Sequence, residues 1–97
     1  MTALIYSELA LVDLENIWLY TYNNWSKDQA DRYYSILIAE CQYISQNFNQ
    51  GKNIDFVLKG YRSWQVKSHL IFYKLNDAGS VEIIRILHKM MDIKNRV

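Results

Sequence analysis

The side chains with a capacity for chemistry are few: Cys41, His69, His88, Arg62 and Arg85. Cys41 falls on an apolar stripe of helical period, where a thiol keeps a raised pKa and little nucleophilicity, so it reads as a core residue. A single cysteine excludes an intrachain disulfide, and with only two histidines beside it no four-ligand zinc set can be assembled. The two imidazoles have no carboxylate or nucleophile at a spacing that would make a relay, so His69 and His88 read as hydrogen-bonded strand-end residues rather than catalysts. Arg85 lies mid-strand, where arginine either reaches a partner or pairs with a carboxylate such as Asp92; both readings stand. Arg62, next to Tyr61, is either a solvated strand end or a contact for an acidic segment. The sequence therefore predicts no catalytic residue, no metal ligand and no cofactor.

The elements that must carry these residues follow from periodicity and end signals. Residues 2–6 read as a short strand, closed by Ser7, which caps a helix running from about Glu8 to Asn23. Its buried stripe is Ala10, Leu14, Ile17 and Thr21, flanked by Leu11 and Trp18, with Asp13, Glu15 and Asn16 in water. Leu9, Leu11, Trp18, Leu19 and Tyr22 exceed what one core face needs; the excess is either generous packing or a partner surface. Ser26-Lys27-Asp28-Gln29 matches a reciprocal capping box and opens a second helix. Ala30, Tyr34, Leu37, Cys41, Ile44 and Phe48 are its core stripe, and Asn49-Gln50-Gly51 is a left-handed stop. After Gly51 the period becomes two, giving strands near 60–66, 69–75 and 80–88 in an antiparallel meander. With connections of two and four residues, parity places Arg62, Trp64, Val66, His69, Ile71, Tyr73, Glu82, Ile84, Ile86 and His88 on the face toward the helices. Tyr61, Ser63, Gln65, Leu70, Phe72, Lys74, Val81, Ile83, Arg85 and Leu87 take the opposite face. The fold class is α+β: an N-terminal strand, an antiparallel helical hairpin and a three-stranded meander, in one domain spanning 1–97.

Composition agrees with a small soluble domain of 97 residues, 51% apolar and 22% charged, without proline. No apolar run approaches the roughly 20 residues a bilayer requires, and the N-terminus lacks a basic, then apolar, leader, so a cytoplasmic location is expected. The net charge of +1 conceals a polarity. Residues 1–50 carry two basic and six acidic groups, and residues 51–97 carry nine and four, which is −4 against +5. The second half can thus meet something anionic, without the excess of a dedicated DNA binder.

The ordered set Asp13-Leu14, Ile17, Trp25 with Gln29-Ala30, Gly51-Lys52, Gly60-Tyr61-Arg62, His69-Leu70-Ile71-Phe72-Tyr73 and Arg85-Ile86-Leu87-His88-Lys89-Met90-Met91-Asp92 resembles the ParE toxins of type II toxin–antitoxin modules, within the RelE/ParE superfamily. The resemblance runs nearly end to end. It implies a toxin neutralised by a cognate antitoxin in a hetero-oligomer, with DNA gyrase as its target. The superfamily also holds ribosome-dependent ribonucleases, in which an arginine often follows the residue opening the penultimate strand and proton-transfer groups crowd the C-terminus. Here those positions resemble Leu70 and Met90-Met91, which neither transfer protons nor neutralise phosphate. The gyrase-directed branch is therefore preferred, with a messenger-RNA ribonuclease using His69 or His88 with Arg62 and Arg85, or a non-toxic antitoxin-binding module, as alternatives.

The residues expected to meet antitoxin or gyrase are Leu11, Trp18, Arg62, Lys74, Arg85, His88, Lys94 and Arg96. An acidic, amphipathic C-terminal antitoxin segment would lay its aliphatic side chains along Leu11 and Trp18 and its carboxylates on Arg62, Lys74 or Arg85. If the tail packs back on the open face of the sheet, Met90 and Met91 would cover Phe72 and Ile83, leaving Lys94 and Arg96 free.

Overall fold

The structure, a computed structural model, describes residues 3–91. β1 (Leu4–Tyr6) leads through Ser7 into α1 (Glu8–Asn24), followed by α2 (Lys27–Gln46), a 3₁₀ turn (Phe48–Gln50), β2 (Lys52–Asn53), β3 (Arg62–Val66), β4 (His69–Leu75) and β5 (Val81–His88). The Ser7 side chain accepts from the Ala10 N–H at 3.0 Å while its own hydroxyl donates to the Ile84 carbonyl at 2.7 Å, so one residue caps α1 and ties it to β5. Ser26 caps α2 by accepting from the Gln29 N–H at 3.1 Å. The reciprocal bond of a capping box is not present among the described residues, and the Gln29 side chain lines a cleft instead.

The sheet has five strands in the order β1-β5-β4-β3-β2. The predicted meander is its centre, widened by two short edge strands: β1 runs parallel to β5 and β2 antiparallel to β3. The helical hairpin covers one face, where Ala10, Leu14, Leu37, Cys41 and Ile44 meet Val66, Ile71, Tyr73, Val81, Ile83 and Ile86. Burial holds the Cys41 thiol protonated, with its pKa pushed up to about 12, in keeping with a core role. The second face is smaller: Phe72, Leu87 and Leu70 lie under the loop that carries Ile54, Val57 and Tyr61.

Parity assigned the sheet faces correctly for β4 and for Ile86 and Leu87, but not for Val81, Ile83 and Arg85. The connection from Asn76 to Ser80 is one residue longer than expected, because Leu75 pairs with Val81 and the Asn76 N–H bonds the Ser80 carbonyl at 2.9 Å. That shift turns Val81 and Ile83 inward, both fully buried against the helices. A register irregularity opposite Phe72/Tyr73 then inserts one more residue in β5 and restores the original parity at Ile86. Two smaller expectations also fail. Tyr34 is 38% exposed and its neighbour Tyr33 turns inward, since steps of three and four from Ala30 fit either tyrosine. Gly51 is not left-handed; its φ is −69°.

Candidate functional site

An open cleft of about 870 Å³ lies between the helical hairpin and one end of the sheet, reached by α1, the start of α2, the β3–β4 turn and the end of β5. Its inner wall is built on the β5 irregularity. There Arg85 leaves the outer face that parity predicted and meets Asp13 of α1 in a two-pronged pair, Nε to Oδ2 at 2.8 Å and Nη2 to Oδ1 at 2.9 Å. The same Oδ2 accepts the Ile86 backbone N–H at 3.0 Å. Asp13 was expected in water and is instead buried, because a carboxylate holding three donors can leave water while an unpaired one cannot. The pairing raises the Arg85 pKa, chiefly through the hydrogen bonds to Asp13. Of the two readings open for Arg85, the intramolecular ion pair is present, with Asp13 as an acid; Asp92, the acid named from the sequence, lies outside the described residues.

Beside this pair, the two histidines face each other across β4 and β5. His69 and His88 are register partners, with ring centroids 5.4 Å apart and edge to face. The Tyr33 hydroxyl lies 2.6 Å from His69 Nδ1, linking α2 to β4. His88 Nδ1 accepts the Met90 N–H at 3.1 Å, so its neutral ring carries the proton on Nε2. Burial first, and the neighbouring His88 second, push the His69 pKa down to about 4, against a smaller raising effect of Asp13. Folding therefore prefers neutral His69. Its contribution is complete above the unfolded pKa of 6.5 and is lost as pH falls toward 4. Chemical denaturation of wild type and His69→Gln between pH 7.5 and 4 should give curves that converge on acidification. Parallel curves would show that His69 does not titrate differently in the two states.

The remaining expected residues are dispersed. Leu11 is 52% exposed on the flank of α1. Trp18 on the same flank donates its Nε1–H to Asp31 at 2.9 Å and stacks on Tyr22 at 5.2 Å. Arg62 donates to the Gly51 carbonyl at 2.8 Å and lies over the Phe48 ring. Lys74 lies over Tyr61, on the opposite side of the sheet from the helices. The ribonuclease alternative needed His69 or His88, Arg62 and Arg85 in one place; the cleft gathers the histidines and Arg85 but not Arg62. Met91 lines the cleft and Met90 is 80% exposed, so neither covers Phe72 and Ile83, which are buried in two different cores. Lys94 and Arg96 lie outside the described residues. Missed by the sequence reading were Asp13, Tyr20, Trp25, Arg32, Tyr33 and Lys67. The hints for Asp13 were its place three residues after Ala10 and four before Ile17, at the edge of the core stripe, and its position at the head of the residues that carry the family resemblance.

Residues 4–93 match the family model described as the ParE toxin of type II toxin-antitoxin system, parDE. The chain belongs to the ParE toxin family. It is 34% identical over 87 residues to Toxin ParE1 of Mycobacterium tuberculosis, covering 90% of this chain and 89% of that one. Toxin ParE1 of Caulobacter vibrioides is 34% identical over 88 residues, with 91% and 90% covered. A solved structure described as a chromosomal ParDE TA system from P. aeruginosa superposes with a TM-score of 0.80 at 18% identity, covering 91% of this chain and 96% of that one, which is a likeness of fold. The ParE fold here thus carries a cleft that gathers Asp13, Arg85, His69 and His88 on one wall.

Proposed function

We propose that this ParE-family toxin is a single-domain, cytoplasmic, non-enzymatic inhibitor that binds DNA gyrase and holds it on cleaved DNA, and that a cognate antitoxin neutralises it in a hetero-oligomer. The observation that carries the preference over a ribonuclease is the environment of His69, one of the two candidate bases. A general base works best with a pKa near the operating pH, whereas His69 is held near 4 and its Nδ1 is engaged by Tyr33. Leu70, where the nuclease branch resembles an arginine, packs with Phe72 and Leu87 on the other face and supplies no charge. Among the described residues no helix is long and apolar enough to cross a membrane.

The antitoxin surface is narrowed by the position of Arg85. Its guanidinium belongs to the Asp13 pair, so the aliphatic side chains of an acidic amphipathic segment would lie along Leu11, Leu19 and Trp18 of α1, with Arg62 and Lys74 left as candidate cations. Induction without antitoxin should produce filamentation and DNA-damage signalling, relieved by the protein from the adjoining reading frame. Leu11→Asp, at an exposed position, should leave melting unchanged yet weaken that antitoxin complex about tenfold by calorimetry. Messenger RNA cut within codons, with gyrase untouched, would favour the ribonuclease reading. An unaltered antitoxin affinity would move the interface off α1.

A further inference from the structure

We propose that the cleft between the hairpin and the sheet end is a binding site for a short single-stranded segment of nucleic acid. Phosphates would lie at Arg32 and Lys67 and a base against Trp25 and Tyr20. This goes beyond gyrase inhibition and does not depend on it. Among the described residues the lining holds three permanent cations, Arg32, Lys67 and Arg85, and one carboxylate, Asp13. Both oxygens of Asp13 are already taken by Arg85 and the Ile86 N–H, while Arg32 and Lys67 make no ion pair among the described residues. The floor adds donors: with Nδ1 of His88 accepting from Met90, its Nε2 carries a hydrogen. Such a cleft offers positive charge together with hydroxyl and amide groups that can donate or accept. A phosphodiester backbone brings acceptors only, and so fits. An acidic peptide matches the charge too, but its carboxylate side chains have no ring face to set against Trp25 and Tyr20, whereas every nucleotide brings a base.

The second, independent feature is aromatic. Tyr20 and Trp25 are each 62% exposed, with ring centroids 6.0 Å apart and tilted by 58°. Rings exposed to that degree beside cations provide the stacking surface and charge that hold single strands without reading sequence. The overall charge of +1 limits the footprint to a few nucleotides and predicts a shallow salt response. Two phosphate contacts give a slope of about −1.4 in log K against log salt, or about a sevenfold loss of affinity between 50 and 200 mM.

The test is fluorescence anisotropy of labelled oligo(dT) of ten nucleotides with the full chain. Duplex DNA of the same length, inorganic phosphate and polyglutamate serve as competitors. Oligo(dT) should bind with that salt slope, and single strand should compete better than duplex, phosphate or polyglutamate. Trp25→Ala should weaken binding roughly tenfold. Arg32→Gln with Lys67→Asn should weaken it tenfold or more; asparagine suits position 67 because φ there is +54°. All these side chains are exposed or on the cleft wall, and unchanged melting of each variant confirms folding. Absence of binding at millimolar protein, equal binding by all variants, or polyglutamate displacing the oligonucleotide as well as single-stranded DNA does would each overturn the proposal. None of these results would alter the gyrase assay.

Discussion

Replacing Asp13 by alanine is expected to destabilise the protein by about 3 kcal/mol and to lower its melting temperature by roughly 15 °C, the largest effect of any polar substitution among the described residues. The side chains of Arg85 and Asp13 are 16% and 10% exposed, so water screens the pair only weakly. Removing the carboxylate takes two hydrogen bonds from the guanidinium and deprives the Ile86 N–H of its acceptor. Arg85→Ala should cost a similar amount by leaving Asp13 charged and unpaired. Replacing both together, as Asp13→Leu with Arg85→Met, should recover part of the loss, since two apolar groups need no partners while the Ile86 N–H still lacks its acceptor. Urea denaturation of the four proteins measures the coupling directly. A single-mutant loss below about 1 kcal/mol would show that the pair is more solvated than its geometry implies.

Gly51→Ala is expected to cost about 2–3 kcal/mol, by overpacking rather than by backbone strain. The φ of −69° suits alanine. A methyl group there, however, would overlap the Tyr73 hydroxyl. That hydroxyl donates to the Phe48 carbonyl at 2.7 Å, and the Tyr73 ring is fully buried and meets Phe48 edge-on at 5.3 Å, so it has no room to retreat. Combining Gly51→Ala with Tyr73→Phe should restore part of the loss, because the overlapping oxygen goes. Were Gly51→Ala alone to melt within 2 °C of wild type, the turn after α2 would have to be more pliant than its packing suggests.

The same two places show what a sequence reading can and cannot reach. Caps, helix lengths and strand centres depend on neighbours in the chain, so Ser7, Ser26 and the strands around Trp64, Ile71 and Ile86 are legible from local pattern. Gly51 and Asp13 depend on partners far away in sequence: Tyr73 beyond two strands, and Arg85 at the end of the chain. A local rule reads the first as a left-handed stop and the second as a solvated helix surface, and tertiary packing overrides both. The face of Arg85 was lost for a related reason. Parity propagates any error in turn length, and β5 contains two compensating odd steps, one in the Asn76–Ser80 turn and one opposite Phe72/Tyr73. The cleft was invisible because its cations and rings come from α1, α2 and the β3–β4 turn, whose convergence only the fold supplies. What the residues did disclose was the ParE toxin family, through an ordered set of short motifs that runs nearly end to end.

Gyrase inhibition is tested most directly with purified components: relaxed or supercoiled plasmid, DNA gyrase and ATP, increasing amounts of this protein, and denaturation followed by protease before electrophoresis. A dose-dependent rise in linear DNA together with loss of supercoiling is the predicted result. Unchanged supercoiling with no linear product, at concentrations that arrest growth in cells, would contradict it.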